Sequence, residues 1–207
     1  IGLFLAMIMR IAMLSAISWL IQIKTTLFNV NLDWFSSNIS IQALILLAGG
    51  LFLLYKSTLE IFQKVEDVEE GPINKNLKSI SYSRALFQII LIDIVFSFDS
   101  ILTAVGMTNG IPYALWIMII SVIVSIIIMM SFAAPVSRYI NKHPSLQILG
   151  LSFLLLIGFM LIAESAYLSN TTFFGSSIGR IPKGYLYFSI TFSLGIEMIN
   201  MRIRKRK

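Results

Sequence analysis

Apolar residues gather in six long stretches, and short polar segments separate them. Each stretch is close to the roughly 20 residues that an α-helix needs to cross the hydrocarbon core of a bilayer. Backbone groups in lipid must be hydrogen-bonded within the span, so stretches this long predict helices rather than barrel strands. The pattern predicts an all-α transmembrane bundle, a single domain over residues 1–207, with spans at about 1–23, 41–62, 83–107, 111–134, 145–167 and 184–203.

Basic residues in the polar segments predict the orientation of these spans. Short cytoplasmic loops of membrane proteins carry an excess of lysine and arginine. If the spans alternate, three basic segments fall on one side: residues 63–82, the segment after the fourth span and the C-terminal tail. We therefore expect a multi-pass protein of the cell membrane with a cytoplasmic loop at 63–82 and a cytoplasmic C-terminus. Residues 25–40 and 168–183 become external loops, rich in turn-forming residues.

Composition narrows the chemistry. The chain is 57% hydrophobic and 13% charged, which is typical of a membrane protein, and its net charge of +6 lies in loops and tail and does not indicate nucleic-acid binding. It contains no cysteine, which excludes disulfides, thiolate zinc sites and iron–sulfur clusters. Any metal must be held mainly by oxygen, which suits Mg, Ca or Mn. No catalytic or cofactor motif is present, so we expect neither an enzyme nor a permanently bound cofactor.

The third span carries two acidic residues at bilayer depth. Residues 88–106 read QIILIDIVFSFDSILTAVG, with Asp93 and Asp99 beside Ser97 and Ser100. An ionised carboxylate at the centre of a membrane helix costs about 2.5–3.5 kcal/mol on insertion scales. We interpret these four residues as oxygen ligands for a metal cation. The alternative is that both aspartates only form hydrogen bonds or pair with basic residues inside the bundle.

Helix geometry separates the two carboxylates. Ser97 and Ser100, at i+4 and i+7, share the face of Asp93. Asp99 lies about 120° around the helix from Asp93 and roughly 9 Å along its axis. Either the helix is broken near residues 96–100, as in many transporters, or each aspartate faces a different partner helix. We favour the local break.

Two further spans carry polar residues that we predict as accessory groups. Glu164 lies near the outer end of the fifth span. Glu197 and Asn200 are three residues apart on the sixth and share a face. Glu197 is interpreted either as an accessory or gating carboxylate of the ion site or as the partner of Arg10 in the first span.

The second and fifth spans contain small residues and a similar sequence. Gly49 and Gly50 in the second span, and Gly150 and Gly158 in the fifth, allow close approach of helix backbones. The sequence GGLFLL that begins at Gly49 resembles GLSFLL at Gly150. This similarity fits a pseudo-repeat of three-helix units, in which the third to fifth spans form one repeat. The other repeat then lacks its opening helix.

The third span also carries a recognisable motif. The sequence DIVFSFDS, followed by ILTAVG, resembles the TerC family of integral membrane proteins, which is named for tellurium resistance. The resemblance covers essentially the whole chain. Supporting matches are GLFLLYKS at 50–57 with Glu60, His143 to Ser145, Leu151 to Phe153 through Glu164, and Pro182 to Tyr185 through Glu197 and Asn200.

The resemblance implies a seven-helix bundle, distantly similar to LysE-type exporters, that exports manganese or a similar divalent cation. By matched position, it implies Asp93, Ser97 and Asp99 as ion ligands, with Glu164 and Glu197 as accessories. The first helix of the family carries an acidic motif ending in Asp-Asn, which this sequence lacks. Since the sequence begins inside an apolar stretch, we expect a truncated chain with six of seven spans.

Two functions are therefore expected as rivals. The first is a transporter that exports a divalent cation, Mn²⁺ by the resemblance, with the lipid bilayer and the ion as its partners. The second is a membrane scaffold that assists insertion or metal loading of other membrane or exported proteins, a role to which TerC relatives are linked. In the second case, residues 63–82 form the docking surface for the partner protein.

Overall fold

The structure, a computed structural model, describes residue 12 and residues 26–69, 82–108 and 111–204. This part of the chain forms five helices and four short strands. The helices are α1 (Ile41–Glu69), α2 (Tyr82–Thr108), α3 (Ala114–Asn141), α4 (Pro144–Leu168) and α5 (Lys183–Arg204). The strands are β1 (Thr26–Leu32), β2 (Phe35–Ser40), β3 (Thr172–Phe173) and β4 (Ser176–Ser177).

Helices α1 to α4 are each long and apolar enough to cross a membrane. They correspond to the predicted second to fifth spans, which are thereby confirmed as helices of spanning length. Helix α5 occupies the predicted sixth span, but no stretch of it is as apolar as the other four. Its two serines, its one threonine, Glu197 and Asn200 account for this difference. The predicted first span, 1–23, lies outside the described residues apart from residue 12, which is helical.

Two helices continue beyond the ends of the predicted spans. Helix α1 continues beyond residue 62 to Glu69, so the first part of the predicted 63–82 loop is helical. Glutamine, lysine and glutamate are good helix formers, and nothing in this segment stops the helix. Helix α3 continues past residue 134 to Asn141, with Pro135 inside it. A proline removes a single backbone donor, which helices in membrane proteins tolerate when their neighbours compensate.

The prediction of an all-α fold is corrected by a small sheet. The two segments predicted as external loops form a four-stranded antiparallel sheet in the order β1-β2-β3-β4. Strands β1 and β2 make a hairpin in which Leu32 pairs with Phe35. Strand β2 then pairs with β3, where Ser36 meets Thr172, a residue 136 positions later. A partner this distant leaves no local signal in either segment.

The chain forms two compact units by contact. One unit includes α2 and most of α3, up to Ser137. The other includes the sheet, α1, α4 and α5.

Within the second unit, α1 and α4 pack antiparallel and in close contact. A Cβ atom at Gly50 would lie 2.8 Å from the carbonyl oxygen of Gly158. Two turns earlier in α1, the carbonyl of Ala43 accepts a hydrogen bond of 2.7 Å from Ser165 Oγ, which lies two turns later in α4. The predicted glycine contact is therefore confirmed at Gly50 and Gly158, whereas Gly150 is exposed and has open space beside it.

The buried face of α1 follows a heptad pattern. Buried residues recur at alternating spacings of three and four, which is the spacing of a helix face that packs along one partner helix. Leu46 and Leu53 are among the most deeply buried side chains of the described chain. The pattern places small or apolar residues against α4 at Ala43, Leu46, Gly50 and Leu53, and then Ser57.

Candidate functional site

Helix α2 carries the predicted ion ligands and is unbroken through them. The predicted break near residues 96–100 is therefore wrong. The hydroxyl of Ser100 donates to the carbonyls of Phe96 at 3.0 Å and Ser97 at 3.1 Å, and Thr103 Oγ1 donates to the Asp99 carbonyl at 3.0 Å. These hydroxyls bond back to an intact helix, and no glycine or proline interrupts residues 93–105. The polar residues are thus accommodated without unwinding.

The continuity of α2 keeps the two carboxylates apart. Asp93 and Asp99 are both half-buried, and the regular helix directs them about 120° apart and separates them by roughly 9 Å along the axis. One ion cannot bind both carboxylates of a straight α2. The alternative, in which each aspartate faces a different partner helix, stays a prediction.

Ser97 is the most informative residue of this group. Its side chain is only 3% exposed, and among the described residues its Oγ has no hydrogen-bond partner. A buried hydroxyl without a partner costs about 1–3 kcal/mol, so its presence requires an explanation such as a water or an ion. Ser97 lies one turn after Asp93, about 40° around the helix. A carboxylate and an unoccupied hydroxyl therefore occur together on one face of a spanning helix.

Ser100 differs from Ser97 although both were predicted as ligands. Ser100 is exposed, and its hydroxyl proton is already donated to backbone carbonyls. Its oxygen keeps lone pairs, so it remains able to accept or to bind a cation. Ser97 lies on the buried side of α2, together with Val95, Phe98 and Ile101.

A second buried hydroxyl of the same kind occurs in α1. Ser57 is 1% exposed, and its Oγ lacks a hydrogen-bond partner within the described part of the chain. In the sequence, Ser57 stands out only as the last residue of the motif GLFLLYKS at 50–57, which predicts no role for it. The available signal was its position, because Ser57 continues the heptad face that Ala43 and Gly50 belong to. A hydroxyl at such a position is buried by the packing of α1.

Glu164 forms an ion pair. It lies at the end of α4 that the predicted orientation places outside. Both of its carboxylate oxygens lie 3.2 Å from Nε of Arg180, in the segment between β4 and α5. The Glu164 side chain is 12% exposed and that of Arg180 is 46% exposed. The β3–β4 turn brings the two residues together, and the sequence did not predict this pair. Glu164 thus has a cationic partner other than a metal.

The remaining accessory residues lie on α5. Glu197 is half-buried, and Asn200, nearly one turn later on the same face, is exposed. Arg10, the alternative partner of Glu197, lies outside the described residues. Elsewhere in this unit, Lys56 and Glu60 form an ion pair of 3.2 Å along α1.

The two sets of predicted residues belong to different units. Asp93, Ser97, Asp99 and Ser100 lie in the unit of α2, whereas the predicted accessory residues lie in the unit of α4 and α5. Within the ranges that the structure describes, no three histidine, aspartate or glutamate side chains form a group that could hold a metal ion. The ligand chemistry available on α2 is one carboxylate with one buried hydroxyl, and a second carboxylate farther along the helix.

Comparisons with known proteins agree on one family. The model of the integral membrane protein TerC family matches residues 1–207. A UPF0053 protein of Haemophilus influenzae is 41% identical over 204 residues, covering 99% of this chain and 78% of the relative. The UPF0053 inner membrane protein YgdQ of Escherichia coli K12 is 40% identical over 206 residues, covering 100% of this chain and 77% of the relative. The larger inner membrane protein YoaE of the same organism is 39% identical over 204 residues, which are 36% of its length. No solved structure matches significantly.

Proposed function

The chain belongs to the TerC family of integral membrane proteins, and from this premise we propose that it exports a divalent metal cation, with Mn²⁺ as the expected substrate. The observation that carries the proposal is the buried hydroxyl of Ser97, which has no hydrogen-bond partner among the described residues and lies one turn from Asp93 in a membrane-spanning helix. Carboxylate and hydroxyl oxygens are ligands suited to Mn²⁺.

The depth of the two aspartates supports this proposal. Residues Phe87–Thr108 of α2 are long and apolar enough to cross a membrane. At 1.5 Å per residue, Asp93 and Asp99 each lie at least about 9 Å from either end of this stretch, so both fall inside a hydrocarbon core of about 30 Å. Carboxylates at this depth are costly unless a cation or another partner compensates them, and in transporters such residues line ion pathways.

The unbroken helix suggests two successive stations for the ion. Asp93 with Ser97 forms the first station, and Asp99 the second, about 9 Å farther along α2. In the orientation predicted from the basic loops, Asp93 is nearer the cytoplasm. An exported cation then meets Asp93 first and Asp99 second. A proton that takes the place of the cation on these carboxylates is one way to couple export to a gradient.

The packing of α1 on α4 supports the proposed duplication of three-helix units. The similarity between Gly49–Leu54 and Gly150–Leu155 aligns Gly50 with Leu151 and Ser57 with Gly158. Gly50 contacts Gly158, and the same antiparallel register, continued by two turns, places Ser57 opposite Leu151. The alignment therefore converts the pair of Gly50 and Gly158 into the pair of Leu151 and Ser57, and the reverse. This exchange is expected for a twofold axis between α1 and α4. In an inverted repeat, a helix equivalent to α2 contributes the remaining ligands.

Manganese accumulation tests the transport function. Cells that express the chain should contain less manganese and survive higher external manganese than cells without it. Asp93→Asn and Asp99→Asn should each reduce this protection, because each removes a charge from the ion path. Asp33→Asn, in the exposed β1–β2 turn, is the matched control and should protect as well as the parent. Full protection by both span variants would remove the proposal.

The alternative function is that of a membrane scaffold, and the same manganese assay can distinguish it from transport. It depends on residues 63–82, of which the first seven continue α1 beyond its predicted end as a helix. Deletion of residues 70–81 leaves every residue of α1 and α2 in place. Export should largely persist in this variant if the chain is a transporter, and protection should fail if the segment docks a partner protein.

A further inference from the structure

The small sheet has two chemically different faces. Successive side chains of a strand point to opposite faces, and paired residues of neighbouring strands share a face. The register pairs Phe28 with Ile39, Leu32 with Phe35, and Phe35 with Phe173. One face is therefore mainly apolar, with Phe28, Val30, Leu32, Phe35, Ile39 and Phe173, and it also carries Ser37 and Ser176. The opposite face carries amides and hydroxyls, with Asn29, Asn31, Ser36, Asn38, Thr172 and Ser177.

The apolar face points toward the membrane-spanning helices. Phe35, Ile39 and Phe173 line a cavity of about 320 Å³ between the sheet and the adjoining ends of α1 and α4. The helical side of this cavity includes Leu47 of α1 and Ile162 of α4, which belong to spans. The polar face consequently points away from the spans.

The sheet also lies directly at the ends of these spans. Strand β2 ends at Ser40 and α1 begins at Ile41, without a linker. Asn38 N donates to the carbonyl of Ser169, the residue after the end of α4, at 2.7 Å. Because so little chain connects the sheet to these helices, the sheet must stay at the boundary of the bilayer.

The helices cover only the middle of the apolar face. Ser37, at the centre, is 4% exposed, but Phe28 and Leu32 on the edge strand β1 are 65% and 53% exposed. Two aromatic residues extend the uncovered area at the turns: Trp34 is 51% exposed, and Phe174, whose N–H donates to the Trp34 carbonyl at 2.9 Å, is 82% exposed. Exposed apolar patches with a polar rim mark contacts with membranes or other proteins.

We propose that this sheet lies flat on the bilayer as an interfacial element, with Phe28, Leu32, Trp34 and Phe174 inserted among the phospholipids. In α1, which follows β2 directly, Leu44 and Leu51 are also exposed, at 40% and 53%. Tryptophan and other aromatic side chains favour the headgroup level of a bilayer. Amphipathic helices bind membranes with the same division of faces. The bilayer beside the spans is thus the partner that this surface fits, whatever the chain transports.

Site-directed spin labelling tests the orientation of the sheet. The sequence has no cysteine, so single substitutions can be labelled without a background. Phe28→Cys, Val30→Cys and Leu32→Cys report on the apolar face, and Asn29→Cys and Asn31→Cys on the same strand are the matched controls. The full chain is reconstituted in phospholipid vesicles. Collision of each label with oxygen, which concentrates in lipid, is compared with collision with a water-soluble nickel chelate.

The logarithm of the oxygen-to-nickel ratio should alternate along β1, positive at 28 and 32 and negative at 29 and 31. A negative value at all five positions would show a sheet in water and would overturn the proposal. Low collision rates with both reagents at 28 and 32 would show that protein covers the face, and would overturn it equally.

The fluorescence of Trp34 provides a measurement that leaves the sheet unaltered. Trp19→Phe and Trp116→Phe remove the other two tryptophans of the chain. In vesicles with brominated lipids, Trp34 emission should be strongly quenched, and aqueous iodide should quench it weakly. Quenching by iodide alone contradicts the proposal.

Discussion

The backbones of α1 and α4 meet at Gly50 and Gly158. A Cβ atom at Gly50 would lie 2.8 Å from the Gly158 carbonyl oxygen, and one at Gly158 would lie 3.0 Å from the Gly50 carbonyl oxygen. Contacts shorter than 3.0 Å essentially never occur for real Cβ atoms. The contact therefore fixes how closely these two spans pack, and through their ends it positions the sheet.

Gly50→Ala should destabilise the protein. The added methyl group meets the backbone oxygen of Gly158, which cannot rotate away as a side chain does, so α1 and α4 must separate. Overpacking of this kind costs typically about 1–3 kcal/mol. Thermal unfolding of the purified protein in detergent should show a lower Tm. Gly150→Ala is the matched control, because no atom of the described residues lies within 4 Å of its Cβ position, and its Tm should be unchanged or higher.

The glycine contact also shows how far the sequence predicts the fold. The thickness of the bilayer sets the length of a span, so apolar stretches alone predict most of α1 to α4. Small residues permit close packing, and this predicts the contact of Gly50 with Gly158. Gly150 is also a glycine in a spanning helix, yet it makes no such contact with the described residues. A small residue allows an approach but does not cause it, and the choice between glycines depends on tertiary packing.

The sheet and the course of α2 depend on interactions that a local pattern does not contain. Phe35 pairs with Phe173, which only the folded α1–α4 pair brings near. In α2, two intramembrane aspartates suggested a broken helix, but the hydroxyls of Ser100 and Thr103 bond to its own carbonyls and the helix stays regular. The sequence identified Asp93 and Ser97 as neighbours. That Ser97 is buried without a partner among the described residues is a property of packing alone.

Ser97→Ala should separate stability from metal binding. Without metal, the variant should be as stable as the parent or more stable, because it removes a buried hydroxyl that lacks a partner in the described structure. The rise in Tm that Mn²⁺ causes should be smaller than in the parent, since one oxygen ligand is lost. Ser121→Ala, which removes an exposed hydroxyl bonded to the Ile117 carbonyl, should not change the response to Mn²⁺. A large loss of stability without metal would show that Ser97 has a structural partner.

The Glu164–Arg180 pair should contribute little to stability and should weaken in salt. Arg180 is 46% exposed, and pairs with an exposed member are typically worth about 0–1 kcal/mol. A double-mutant cycle with Glu164→Gln and Arg180→Gln should give a coupling energy in this range at low ionic strength. The coupling should fall toward zero at about 1 M salt, where the screening length is about 3 Å. The Lys56–Glu60 pair, a helical i,i+4 pair of the same 3.2 Å distance, is a suitable comparison. A coupling that salt does not reduce would contradict this assignment.

Asp93 and Asp99 should make separable contributions to transport. On an unbroken α2 they point about 120° apart, so the cation binds them in succession rather than together. Asp93→Asn should mainly raise the KM for cytoplasmic Mn²⁺, because it weakens the first station. Asp99→Asn should mainly lower the maximal rate, because the ion loses its next ligand. The two effects on the free energy of activation should be close to additive in the double variant, as for residues about 9 Å apart. Flux measured in proteoliposomes with a metal-sensitive dye distinguishes the cases. If the double variant is no worse than either single variant, the two carboxylates act as one site, and the ion must bind α2 in a conformation other than the straight helix.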